Sequence, residues 1–133
     1  MGLWLDRSLL QGPRLALVTS ERQFQAAMRA ISMKDAGPWL LANQHACVHS
    51  YDDEEGVICV VALSLPACAR MSEIDVAALL AHEAVHVWQR VADAIGGDLG
   101  REMEAYAVQN IVANLMRAYV KASSSAAARA SAA

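Results

Sequence analysis

The run Val57-Ile58-Cys59-Val60-Val61-Ala62-Leu63 is apolar at every position, with no polar residue in alternation. A strand of that pattern is buried on both faces rather than on one. Upstream, Ala46-Cys47-Val48-His49-Ser50-Tyr51 leads into the polar turn Asp52-Asp53-Glu54-Glu55-Gly56. Two short apolar runs around a loop ending in glycine read as a β-hairpin. Trp39 to Ala42 is a candidate third strand, and Pro66 closes the sheet region. The acidic run Asp52 to Glu55 reads as a solvated turn, because it lacks the ligand spacing of a calcium loop.

The rest of the chain is helical in pattern. Residues 1–19 are ambiguous. Over 20–33, Ser20 can cap, Gln23 follows three positions later, and Phe24, Ala27, Met28 and Ile31 recur at helical spacing. Gly37-Pro38 ends that segment. A second helix starts after Ser72, with Glu73 and Asp75 in the first turn, and runs to Ala94 or Ile95, where Gly96-Gly97 stops it. Asp98 is the candidate cap of a third helix ending near Lys121. The sequence thus predicts one α+β domain over residues 1–122. Residues 123–133, built from Ser and Ala with one Arg, form a low-complexity tail expected to be disordered.

Composition narrows the function classes. The 133 residues are 56% hydrophobic and 19% charged, and the aromatics number only three Trp, three Tyr and one Phe. Such a chain packs helices closely through Ala, Val and Leu. Eleven basic residues stand against 14 acidic ones, for a net charge of −3, and no basic run is present. That argues against nucleic acid or an anionic membrane surface as the partner. No segment reaches the roughly 20 apolar residues of a membrane span. Met1 to Gly12 lacks the pattern of a leader, since Asp6 and Arg7 interrupt it. Cys47, Cys59 and Cys68 are odd in number and form no CxxC pair, so they read as reduced thiols of a cytoplasmic protein. Cys68 reads as a buried, inert thiol.

The chemistry is concentrated in His82-Glu83-Ala84-Val85-His86. Histidines four apart on a helix differ by about 40° around its axis and share one face, so both imidazoles can bind one Zn²⁺. Glu83 lies where its carboxylate can reach a metal-bound water, take its proton during attack on a carbonyl, and return it to the leaving amine. This is the HExxH pattern. By residue frequencies it arises by chance in roughly one chain of this length in a few hundred. Here it also sits mid-helix between Leu80-Ala81 and Val87-Trp88. A catalytic zinc requires a third protein ligand and an open fourth position. The next helix offers Glu102 and Glu104, and Gly96-Gly97 lets the chain double back toward the histidines.

Over about residues 45–120, through HEAVH, the strand before it and Glu102-Met103-Glu104-Ala105-Tyr106, the chain resembles the gluzincins. Within them it is similar to the minigluzincins and to small phage-encoded HExxH proteins. The resemblance implies a zincin-like α+β fold. Its parts are an N-terminal helix, a short two- or three-stranded mainly antiparallel sheet, an active-site helix and a C-terminal glutamate helix. It implies Zn²⁺ held by His82, His86 and a glutamate. Several branches place that ligand three residues before a small Ala and four before a polar residue, which fits Glu102, Ala105 and Tyr106. Periodicity favours Glu104 instead, because it leads into Val108, Ile111 and Leu115. Glu102 is the preferred ligand and Glu104 the alternative. Tyr106, Tyr51 or His49 could aid an oxyanion, although packing tyrosines are the simpler reading. Gln89 reads as a polar contact.

The function expected is a zinc-dependent peptidase, with a peptide or protein substrate paired along a sheet edge, either Ala46 to Tyr51 or Val57 to Leu63. The alternative is a zinc-binding, phage-type morphogenesis or interaction protein that keeps the fold with little turnover.

Overall fold

The computed structural model describes residues 3–5, 13–96 and 99–132. Gly97 and the candidate cap Asp98 lie outside the described residues. The elements are β1 (Arg14–Val18), α1 (Glu21–Ala30), β2 (Ala46–Asp53), β3 (Gly56–Leu63), α2 (Leu65–Cys68), α3 (Glu73–Ile95) and α4 (Arg101–Ala132). The fold is α+β, with a three-stranded sheet ordered β1-β3-β2.

β3 is the central strand and is covered on both faces, as its unbroken apolar run requires. Val57, Cys59, Val61 and Leu63 join Leu15 and Leu17 in a core shared with Val76, Leu80, Ala84, Val87, Ala107, Ile111 and Leu115 of α3 and α4. Val60 and Ala62 join Ala16 and Val18 against Phe24, Ala27 and Met28 of α1 on the other face. The alternation of side chains along a strand thus divides one apolar run between two cores. Phe24 is fully buried in the smaller core, with its ring 4.6 Å from that of His49. Replacing Phe24 by alanine is expected to cost about 3–5 kcal/mol of stability, read as a lower urea midpoint at unchanged slope.

The hairpin forms as the residues indicate, β2 pairing antiparallel with β3 from Ala46↔Leu63 to Asp53↔Gly56. The third strand differs from expectation. It is β1, pairing parallel with β3 from Arg14↔Ile58 to Val18↔Ala62, so the sheet is mixed rather than mainly antiparallel. Trp39 to Ala42 instead lies in a bend and loop. There Leu41 and Gln44 close a turn through Gln44 N–H to the Leu41 carbonyl, and Asn43 has φ of 70°. A parallel partner contributed from far upstream leaves no turn signal for the eye to find.

Capping sets the helix boundaries. Ser20 Oγ accepts from Gln23 N–H at the start of α1, and Gln23 Oε1 reaches back to Thr19 N–H. The helix stops at Ala30, short of Met33, because Ser32 adopts φ of 58°. Ser64 caps the short α2, with Pro66 in its first turn. Ser72 Oγ accepts from Asp75 N–H and donates to its Oδ2 at the head of α3, and Gly96 closes the helix at φ of 74°. α4 continues through Ala132, beyond the end expected near Lys121; the Ala-rich stretch has the composition that best sustains a helix. Among the described residues no helix is long and apolar enough to cross a membrane.

Candidate metal centre

His82 and His86 emerge on one exposed side of α3, their ring planes nearly perpendicular at 81°. The two Nε2 atoms are 3.1 Å apart. Two imidazole nitrogens about 2.0–2.1 Å from one tetrahedral zinc would stand about 3.3 Å from each other. The pair therefore fits a common ion with little adjustment. His86 Nδ1 lies 3.0 Å from Gln89 Oε1, one helical turn on. A second partner of this kind commonly orients a ligating histidine.

Glu83 is turned inward and is 5% exposed, the one buried charged residue among those described. Burial pushes its carboxyl above the ordinary value, and charge on His82 and His86 pulls it part of the way back. A carboxylate raised toward neutrality by desolvation is suited to exchanging a proton with water.

These groups form one wall of a cleft of about 490 Å³ whose opposite wall is β2, through Ala46, Val48 and Ser50. β2 is an edge of the sheet, whereas β3 is paired on both sides. Of the two segments considered for pairing with a peptide, Val57 to Leu63 has no free edge. The His45 carbonyl accepts from Ser64 N–H, so by antiparallel alternation Ala46, Val48, Ser50 and Asp52 turn their backbone groups outward. Arg90 and Asp93 line the same cleft, and Arg90 pairs with Asp52, tying α3 to β2. In the acidic turn, Asp53 pairs with Arg14 at 3.2 Å and accepts from Glu55 N–H. The turn is exposed, as expected.

The two candidate glutamates are presented differently. Trp88 Nε1, on the helix of the histidines, donates to Glu104 Oε2 at 3.1 Å. Glu104 continues the buried stripe of Ala107, Ile111 and Leu115 and so faces α3. Two residues apart on a helix means about 160° around it, so Glu102 points away from that interface. Neither glutamate lines the cleft. Among the described residues no group of three or more His, Cys, Asp or Glu is assembled closely enough to hold a metal.

The oxyanion candidates also separate. His49 and Tyr51 lie on the α1 side of the sheet: the His49 ring packs on Phe24 with Nε2 2.8 Å from the Trp39 carbonyl, and Tyr51 packs against the smaller core. Tyr106 is 58% exposed on α4. Residues whose place in the cleft was missed are Arg90, Asp93 and Gln44. The signal for the first two was present, since helical spacing of four and seven from His86 puts them on its side.

All three cysteines are free thiols. Burial pushes Cys59 up to about 11 and also raises Cys68. For Cys47 burial is reinforced by the Glu83 charge. An aromatic disulfide reagent is expected to titrate three thiols after unfolding without reductant, with Cys59 protected in the native state. A count of one would reveal a disulfide. Neither family models, nor curated proteins, nor solved structures give a match to this chain.

Proposed function

We propose that the chain is a zinc-dependent peptidase of gluzincin type, with His82 and His86 as two metal ligands and Glu83 as general base. The observation that carries the reading is the convergence of two Nε2 atoms at 3.1 Å beside a buried carboxylate, in a cleft walled by an edge strand. When bound, zinc supplies Lewis acidity toward water and a substrate carbonyl. The outward backbone groups from Ala46 to Asp52 receive an extended peptide by strand addition. Glu83 accepts the proton of the attacking water and delivers it to the departing amine.

As third ligand Glu102 and Glu104 both stay in play: Glu104 faces α3, but the Trp88 that holds it lies about 160° around α3 from His86, so either carboxylate would have to move to reach the histidines.

Protein purified without chelator is expected to carry about one zinc per chain, and His82→Ala to lose it, because two remaining donors hold the ion poorly. Elemental analysis of both decides the matter. Stoichiometric zinc in the variant would remove α3 from the site.

A further inference from the structure

We infer that Gln89 is a positioning residue that fixes the tautomer of His86 and so prepares the histidine pair for a metal. The inference rests on the metal reading above. An amide oxygen only accepts, so with Gln89 Oε1 turned to the ring at 3.0 Å from His86 Nδ1 the hydrogen sits on Nδ1. In the neutral ring Nε2 then carries a lone pair and no hydrogen. The second contact follows from the first. His86 Nε2 stands 3.1 Å from His82 Nε2, and with a lone pair on His86 the hydrogen between them belongs to His82. The chain Gln89–His86–His82 therefore has one consistent direction of donation, from His82 to His86 to Gln89. A metal here would be held by the Nε2 lone pairs of both His82 and His86. To serve as a ligand His82 would need its hydrogen on Nδ1, so the neutral pair would bind without releasing a proton.

Gln89 is exposed and three residues beyond His86 on the same helix, so replacing it leaves the core untouched. The test uses the full chain as parent, Gln89→Leu and Gln89→Glu. Zinc affinity is measured by competition with a chromophoric chelator. The tautomers are read from imidazole ¹⁵N shifts in metal-free protein at a pH where both rings are neutral. Leucine removes the acceptor, and zinc binding is expected to weaken about ten-fold or more, with metal-free His86 moving toward the Nε2–H form. Glutamate keeps an acceptor and is expected to hold parent affinity and the Nδ1–H tautomer. Equal affinity and equal tautomer in parent and Gln89→Leu would overturn the inference, as would Gln89→Glu behaving like Gln89→Leu. A parent that takes up no zinc overturns the metal reading instead, and the tautomer measurement still decides whether Gln89 governs His86.

Discussion

Exchanging Glu83 for glutamine is expected to leave the fold and the zinc in place while lowering peptide hydrolysis by about a hundred- to ten-thousand-fold. Glutamine has nearly the shape of glutamate but cannot accept a proton from water. The residue is buried beside His82 and His86, so its substitution removes a charge without opening a cavity. Turnover of a peptide library, with zinc content measured on the same samples, is the check. Activity within a few-fold of the parent, at full zinc occupancy, would assign the proton transfer to another group. A parent that binds zinc and cleaves nothing would favour the interaction protein.

The second large effect is expected at α4. Glu104→Ala should weaken zinc binding far more than Glu102→Ala, because of the two only Glu104 lies on the face α4 turns toward α3, and a shift of α4 around α3, from Trp88 toward His86, would bring it to the metal. Glu104 shares that face with Ala107, Ile111 and Leu115 and receives the Trp88 indole N–H; Glu102 lies about 160° away around the helix. Chelator competition on the two alanine variants separates them. Loss of the metal from Glu102→Ala alone would mean that α4 rotates on binding, bringing the residue favoured by the family spacing into the site. Trp88→Phe serves as a companion. It keeps an aromatic ring and removes the donor, so a changed affinity there would show that the indole's hold on Glu104 bears on the metal site.

What could be read from the residues divides along physical lines. The helix of the histidines is legible because Ser72, Asp75 and Gly96 mark its ends and HExxH brings two side chains to one face by local geometry. The β2–β3 hairpin is legible because its turn is local too. β1 is not, since Arg14 to Val18 has strand character only in company with β3, far along the chain. The role of the Trp39 to Ala42 segment is equally hidden. Its turn depends on Gln44, and its carbonyl at Trp39 is met by Cys47 and His49, contacts that exist only once β2 has formed. The facing of Glu102 and Glu104 is partly legible. The apolar periodicity of Val108, Ile111 and Leu115 points toward Glu104, whereas the spacing of Glu102 from Ala105 and Tyr106 carries no information on which side packs.

The parallel pairing of β1 with β3 also bears on how the molecule reaches this state. The hairpin and the α3–α4 pair join neighbours in sequence, but Arg14 must find Ile58 across α1 and a long loop. Closing that loop delays the reward of its contacts, so β1 is expected to dock after the hairpin has formed. During that interval β3 has one unpaired side. Its segment Val57 to Leu63 contains no proline, glycine or charge, which is the composition most prone to intermolecular strand stacking. The same strand that anchors both cores is thus the chain's main aggregation hazard until β1 covers it. Recovery on refolding should accordingly fall as protein concentration rises.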